Sequence, residues 1–364
     1  MNNRKRILLL LTNYRVCEKL IGSIPLLSQK FDIDCYMVGQ MSLNTRWPGN
    51  KDLRKIFIDK YASCFKKIIN GMGIPVMNTP IVDLLKHIKL NEYSAIIYDD
   101  NRIQQSYFIP ELYKEAKKHK ILIIGNSHGN QEYRKNHIPG IGVCYDYCFV
   151  LGKKEVDFYS KFYGNKILSG GIPSNDILKS YTINRNHILC ITNFLGNGKS
   201  LFTCNFDEKW AELLMYIQKI TGKKIIIKQK PRLNDIDFNK NIKYISSLMS
   251  KCNNYSILSD SEDISKLVSD SYIVISAFST LAIKPIQMGI PTILIKDSGQ
   301  TANFFDYNFI SSLNSAEINP MINSIIKMDY KTYSKNWIKD TIEGGETFSS
   351  SEIYVKKIEN LING

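Results

Sequence analysis

The chain has 364 residues, of which 44% are hydrophobic and 23% are charged, and its formal net charge is +14. This length is typical of about two domains, and the composition excludes a disordered or low-complexity protein. No apolar run approaches the roughly 18 residues of a membrane span, and the run Ile7–Leu11 is shorter than the core of a signal peptide. We therefore expect a globular, cytoplasmic protein.

The first half of the chain alternates predicted strands and helices, which is typical of a parallel sheet covered by helices. Each predicted strand is a short, continuous apolar run of the kind that is buried on both faces. The predicted strands are Arg6–Leu11, Ile33–Val38, Tyr93–Tyr98, Ile121–Ile124, Tyr147–Leu151 and Lys166–Ser169. The predicted helices are Val16–Lys30, Lys51–Asn70, Asp83–Leu90, Pro110–Lys120 and Lys154–Tyr163.

The second half repeats this alternation. Its predicted elements are the strand His187–Thr192, the helix Asp207–Thr221, the strand Lys224–Ile227, the helix Ser261–Val268, the strand Tyr272–Ile275, a helix from Ser279 to Gly289 and the strand Pro291–Ile295. The sequence therefore predicts an α/β fold with two Rossmann-like domains, residues 1–180 and 181–340. We expect the C-terminal helix, 341–364, to be able to pack back on the first domain.

The predicted phosphate-binding residues of the second domain share one position, the carboxyl end of a strand or the start of the next helix. Open α/β sheets bind ligands at that edge, where free N–H groups converge. These residues are Gly196, Gly198, Lys228, Lys230, Arg232, Ser276, Ser279 and Thr280. A phosphate clamp built from them needs no metal ion. The alternatives are a solvated basic turn for the cations and simple helix caps for the hydroxyl groups.

Four segments resemble the GT-B glycosyltransferases and their relatives. The stretch Ser259–Ile295 is similar to the donor-binding segment of these enzymes. Lys228–Arg232, KQKPR, resembles the K-x-H-P-R segment of capsule Kdo transferases and CDP-glycerol glycerophosphotransferases, and Ser127–Gly129 resembles their H-G turn. Gly170–Asp176, GGIPSND, resembles the G-x-P-R-x-D junction after their first domain. The resemblance implies a GT-B fold with the active site in the cleft between the two domains.

Two positions depart from the family pattern. Lys230 replaces the motif histidine and keeps a cation for phosphate. Lys284 stands where the family often has an acidic residue that binds ribose, which disfavours a UDP- or GDP-sugar. The resemblance then favours a cytidine nucleotide such as a CMP-sugar, because the most similar enzymes use CMP-Kdo or CDP-glycerol. Glu262 and Asp263 are predicted to meet the nucleotide base or to cap the helix that they precede.

The general base is predicted among polar groups that follow strands of the first domain. His128 is one candidate, because an imidazole titrates near neutral pH, and Asp99 and Asp100 are the others. The alternatives are a loop histidine and a helix cap. The predicted acceptor-binding residues are Asn13, Arg15 and Asn126. The spacing of Cys144 and Cys148 is poor for a zinc site, so we predict no metal and no cofactor.

These observations predict a metal-independent glycosyltransferase that moves a sugar from a nucleotide-activated donor to a hydroxyl of a bacterial surface polysaccharide or lipid-linked glycan. One alternative is a CDP-glycerol-type polyol-phosphate transferase. Another is a sugar-nucleotide 2-epimerase, which shares the fold, although we do not find its acidic and arginine motifs in the sequence. A third is a non-catalytic, basic nucleic-acid-binding protein, but we expect no nucleic-acid partner.

The positive charge is concentrated in the first half of the chain. Residues 1–180 carry 27 lysines and arginines against 16 acidic residues, a net charge of +11. Such an imbalance indicates an anionic partner. The candidates are the glycan acceptor and an anionic membrane surface at the inner face of the cell membrane, which the lysines and arginines of the helix Lys51–Asn70 could contact.

Overall fold

The computed structural model describes residues 4–11, 20–37, 67, 69–78, 84–98, 108–127, 141, 144–192, 206–229, 235–258, 263–277, 280–296 and 307–364. The chain divides into two compact units, one formed by Met1–Ile177 with Lys339–Gly364 and the other by Leu178–Ile338. Each unit is built on its own parallel sheet with helices, which confirms the predicted α/β fold of two Rossmann-like domains.

The first unit contains a seven-stranded parallel sheet. Its strands are β1 (Arg6–Leu11), β2 (Asp32–Met37), β3 (Val76–Asn78), β4 (Ala95–Tyr98), β5 (Leu122–Asn126), β6 (Tyr147–Val150) and β7 (Ile167–Ser169). Their spatial order is β3-β2-β1-β4-β5-β6-β7. The strand order therefore reverses between β1 and β4, and ligands of such sheets bind at the carboxyl ends of the strands near the reversal.

The second unit contains a six-stranded parallel sheet. Its strands are β8 (His187–Thr192), β9 (Lys224–Gln229), β10 (Tyr255–Leu258), β11 (Ser271–Ala277), β12 (Thr292–Ile295) and β13 (Ile310–Ser311). Their spatial order is β10-β9-β8-β11-β12-β13, so the reversal lies between β8 and β11. The carboxyl ends of these two strands and of β9 beside them form the edge at which this sheet can bind a ligand.

Helices flank both sheets. In chain order the α-helices of the described residues are α1 (Ile24–Lys30), α2 (Leu84–His87), α3 (Phe108–Lys118), α4 (Lys153–Tyr163), α5 (Glu208–Thr221), α6 (Asp235–Leu248), α7 (Ile264–Ser269), α8 (Ile283–Gln287), α9 (Ser315–Lys327), α10 (Tyr330–Thr341) and α11 (Ser350–Asn363).

The core of the first unit lies on both faces of its sheet. Alternate residues of β1 enter two different clusters, so Leu9 packs on one face and Leu10 on the other. This explains why β1 is a continuous apolar run rather than an alternating one. The C-terminal helix α11 completes the cluster around Leu9 with Tyr354, Val355 and Ile358.

The N-terminal helix differs from its prediction over Val16–Lys30. The described part begins with Leu20, which is helical, and a 3-10 turn, Ile21–Ser23, separates it from α1, which starts at Ile24. Pro25 lies in the first turn of α1, where its missing N–H costs nothing. Gly22 packs so closely that an added Cβ would come within 2.2 Å of the Pro173 carbonyl oxygen. The predicted helix is therefore interrupted where the chain passes this contact.

One predicted helix of the first half of the chain is only partly described. Of the predicted helix Lys51–Asn70, the structure describes Lys67, Ile69 and Asn70, all as helical.

In the described ranges, no helix is long and apolar enough to cross a membrane, and no group of three or more His, Cys, Asp or Glu residues could hold a metal ion. Cys144 and Cys148 are buried, and neither forms a disulfide bond with another described residue.

Candidate functional site

The carboxyl end of the second sheet brings together two of the predicted phosphate-binding residues. Lys228 of β9 and Ser276 of β11 are both in register with Ile191 of β8. Residues in register on parallel strands point to the same face, so the two side chains share one face of the sheet, and their Cα atoms are about 10 Å apart. Lys228 is 7% exposed and Ser276 is fully buried.

The ammonium group of Lys228 suits an anionic ligand. A buried ammonium group requires hydrogen-bond acceptors or negative charge around it. The Ser276 hydroxyl donates to the Ala277 carbonyl oxygen at 2.8 Å, so it can donate to an anion only if it turns away from that carbonyl. Thr192 ends β8 one residue beyond this row, and its buried hydroxyl has no hydrogen-bond partner in the part of the chain that the structure describes. The edge beside the strand reversal is therefore polar although it is buried.

The helix after β11 is shorter than predicted. Thr280–Ala282 form a 3-10 turn, and α8 follows as a five-residue α-helix without a side-chain cap. Pro285 has no N–H for a bond to the preceding turn, which limits regular α-helix here. Gly289 ends the helical segment with a φ of 71°, as the sequence predicts.

Lys284 and Asp263 carry opposite charges that interact in the same unit. Lys284 is 8% exposed. Burial by itself would raise the pKa of Asp263, but hydrogen bonds from Tyr181, Ser265 and Lys266, and the charge of Lys284, hold this pKa below its ordinary value. Asp263 caps α7 through Oδ1, which accepts from the Ser265 N–H at 2.8 Å, while Oδ2 accepts from the Tyr181 hydroxyl at 2.7 Å. Asp263 is thus a helix cap, one of its two predicted roles.

In the first unit, Asn126 lies at the carboxyl end of β5. It is 6% exposed, and its Nδ2 donates to the Tyr98 carbonyl oxygen at the end of β4, at a distance of 2.5 Å. Its amide therefore ties together the ends of two neighbouring strands. A small pocket opens beside it, and the Tyr354 side chain of α11 forms one wall. Tyr354 was not predicted as a site residue, because no local signal links it to a strand end that lies more than two hundred positions earlier in the sequence.

The other predicted site residues lie outside the described residues, so their roles stay predictions. They are Asn13, Arg15, Asp99, Asp100, His128, Gly196, Gly198, Lys230, Arg232, Glu262 and Ser279. The backbone of Thr280 is described, but its side chain is not.

Comparison with known proteins identifies a shared fold. No protein-family model matches the chain, and no curated protein matches its sequence. The UDP-GlcNAc 2-epimerase of Neisseria meningitidis, solved with UDP-GlcNAc, is 12% identical with a TM-score of 0.63, over 98% of this chain and 100% of that one. The UDP-GlcNAc 2-epimerase of Methanocaldococcus jannaschii is 14% identical with a TM-score of 0.62, over 99% and 100%. The wall teichoic acid polymerase TagF is 12% identical with a TM-score of 0.54, over 99% and 89%.

These similarities support the GT-B type of fold and correct the predicted function. The prediction of a glycosyltransferase with a cytidine nucleotide donor is wrong, because the similar structures are in large part UDP-GlcNAc 2-epimerases rather than Kdo transferases. The segments that suggested a transferase are short. Short motifs that follow the fold do not identify the reaction. The acceptor role of Asn13, Arg15 and Asn126 and the attachment to an anionic membrane surface both stay predictions.

Proposed function

We propose that this protein is a sugar-nucleotide 2-epimerase, an enzyme that inverts the configuration at carbon 2 of a sugar attached to UDP. The observation that carries the proposal is the buried Lys228, on the same face as Ser276 at the carboxyl end of the second sheet. A nucleotide diphosphate is the ligand chemistry that fits such an edge. The shared fold with epimerases solved with UDP-GlcNAc and UDP supports this choice of ligand.

The position of Lys228 favours it over Lys284 as the phosphate-binding cation. Lys228 lies at the strand end itself, next to the reversal of the strand order. We assign the diphosphate to Lys228 and Ser276 for this reason.

Inversion at carbon 2 also needs acid–base groups. A base must remove the proton on carbon 2 while its bonding electrons expel UDP from carbon 1, and an acid must return a proton on the opposite face of carbon 2 as UDP adds back to carbon 1. Asp99 and Asp100 directly follow β4, and His128 lies two residues after β5. We assign the proton transfers to these three residues, because they are the titratable groups nearest in sequence to those strand ends. Their individual replacement by alanine is expected to abolish turnover while UDP binding is retained.

The reaction is tested by incubating the full chain with UDP-GlcNAc in D₂O and recording proton NMR spectra. Because the hydrogen on carbon 2 leaves during inversion, we expect a second anomeric signal from the manno isomer and deuterium at carbon 2 of the product. A spectrum with neither the new isomer nor deuterium, under conditions in which UDP-GlcNAc is bound, would reject the epimerase reaction. Binding of UDP is measured separately by calorimetry, so the ligand and the reaction are judged independently.

The phosphate assignment is tested with Lys228→Met and the matched control Lys224→Met. Lys224 lies on the same strand, four residues earlier, and is exposed at the amino end of the sheet. Loss of one charge-assisted hydrogen bond is expected to weaken UDP binding by roughly 10- to 150-fold in Lys228→Met. Lys224→Met should bind UDP as the wild type does. Equal affinity of the two variants would contradict the assignment.

A further inference from the structure

The helix α4 has a covered side and an outer side of different chemistry. It packs beside β7, which lies at one end of the seven-stranded sheet. On the covered side Tyr159 is fully buried in a cluster with Cys148, Val150 and Ile167. This packing fixes how the helix is turned, so the side chains on its outer side are held toward the solvent.

Three rings at the end of α4 form an aromatic patch, which consists of Phe158, Phe162 and Tyr163. Phe162 is 42% exposed. Its ring centroid lies 5.7 Å from that of Phe158, one turn earlier, and 6.3 Å from that of Tyr163. Phe158 and Tyr163 are partly buried against the cluster around Tyr159, so they hold the patch in place. A single exposed apolar residue needs no explanation, but a group of ordered rings at the surface indicates a binding surface.

The charged groups around the aromatic patch are positive. Lys161 and Lys166 are exposed, and neither forms an ion pair with a described residue. Both acidic residues of α4 already have partners inside the protein. Glu155 is buried and accepts a backbone N–H at 2.7 Å, and Asp157 forms an ion pair within the helix. The outer side of α4 therefore presents phenylalanine next to lysine, without a carboxylate that lacks a partner.

This combination fits the surface of an anionic lipid bilayer. Aromatic side chains favour the level of the lipid headgroups, and lysines beside them are attracted by anionic lipids. The excess of positive charge in residues 1–180 acts in the same direction. A stable protein interface buries about 800 Å² on each partner, whereas α4 has 11 residues and is roughly 16 Å long. A bilayer requires no matching shape, so a small patch is enough.

We propose that the outer side of α4 binds the surface of an anionic lipid bilayer. The Phe162 ring enters the headgroup layer, and Lys161 and Lys166 lie against the anionic lipids. The attachment is peripheral and reversible, because one aromatic patch and two lysines give weak binding. The site is separate from the predicted helix Lys51–Asn70, and it does not depend on the proposed function.

Sedimentation of the full chain with lipid vesicles tests this site. One set of vesicles is phosphatidylcholine, and the other is an equal mixture of phosphatidylcholine and phosphatidylglycerol. Phe162→Ala is compared with Ile220→Ala on α5, because Ile220 has a similar exposure of 44%. Loss of the inserted ring is expected to lower the ratio of bound to free protein on the mixed vesicles by roughly three- to tenfold in Phe162→Ala only.

The contribution of the charge is tested with Lys161→Gln and the matched control Lys209→Gln. Lys209 is also an exposed lysine on a helix, but it lies on α5 of the second unit. Each lysine next to an anionic leaflet contributes attraction that corresponds to about fivefold in binding. We therefore expect Lys161→Gln to bind the mixed vesicles about fivefold more weakly than Lys209→Gln does.

The outcomes decide for or against the lipid surface. Absence of wild-type binding to the mixed vesicles, or an equal loss in Phe162→Ala and Ile220→Ala, overturns the inference. Sedimentation velocity without vesicles tests a second copy of the chain as the occupant. A dimer that is lost in Phe162→Ala also overturns the inference. Phe162 is partly exposed, so the variant should fold, and its melting temperature and its UDP binding verify this separately from the lipid result.

Discussion

The attachment of α11 to the first unit can be tested at Asp176, whose carboxylate caps the helix. Its Oδ1 accepts from the Ser350 N–H at 3.1 Å, and its Oδ2 accepts from the Ser351 N–H at 2.7 Å. Asp176→Ala removes both bonds and leaves two N–H groups at the positive end of the helix without their acceptor. A cap of this kind contributes about 1 to 2 kcal/mol, and its negative charge strengthens the bonds further.

We therefore expect local opening of α11 to become easier by about 2 kcal/mol, which corresponds to roughly 30-fold faster amide exchange. Hydrogen–deuterium exchange, read by mass spectrometry on peptides that cover α11, measures this opening directly. The matched control is Asp157→Ala. Asp157 is also a carboxylate, but it is 59% exposed and forms an ion pair with Lys153 on the surface of α4. Removal of such a pair should change exchange by less than a factor of about three.

The two variants distinguish a cap from a mere surface contact. If α11 exchanges at the same rate in Asp176→Ala and Asp157→Ala, the carboxylate does not fasten the helix, and the argument from hydrogen-bond geometry is wrong. If exchange rises throughout the first unit rather than in α11, the helix is part of one cooperative unit with the sheet. In that case the expected loss of about 2 kcal/mol applies to the unfolding of the whole first unit rather than to the opening of α11.

Two further predictions concern stability. Gly171→Ala should unfold the first unit at lower temperature than Gly164→Ala, because both glycines have a positive φ but only the Cβ at Gly171 would lie 2.2 Å from the Glu343 carbonyl oxygen; equal melting temperatures would refute a steric cause. Burial lowers the pKa of His187, and the hydrogen bond between its ring and the Leu267 carbonyl oxygen offsets this lowering only in part. The folded state therefore keeps the imidazole neutral, whereas the unfolded chain binds a proton below about pH 6.5. Stability should therefore fall as the pH drops below that value, and His187→Gln should flatten the decrease in a series of melting curves, whereas parallel curves would count against it.

The strands that the sequence predicts well are those covered on both faces. β1 and β8 begin and end at the predicted residues, because every position of β1 after Arg6 and every position of β8 is buried. β10 was not predicted, and all four of its residues are only partly buried at the edge of the sheet. An edge strand lacks the continuous apolar run on which the prediction depends. β3 lies at an edge of the sheet of the first unit and is only three residues long, and it was missed for the same reason.

The candidate site divides in a similar way. Lys228 and Ser276 were found because a residue at the end of a buried strand is recognisable from the strand itself. That the two side chains share one face follows from the register of β9 and β11 with β8, which lies between them. This strand order is seen in the structure but cannot be read from the sequence. Tyr354 could not be found, because its position depends on contacts between α11 and segments such as Pro173, 178 residues away. The reaction was predicted wrongly because short motifs that follow the fold do not identify the chemistry.

The composition of the first unit also has a consequence for the order of folding during synthesis. Its core includes Tyr354, Val355 and Ile358, whereas the second unit is a single continuous segment, Leu178–Ile338. On a ribosome, the second unit can close while the last helix is still being translated. The sheet that begins at Arg6 must wait for the far end of the chain before its apolar face is covered. Until then that face is exposed to other chains. A chain whose synthesis ends before α11 would therefore be most prone to aggregate through the sheet of its first unit.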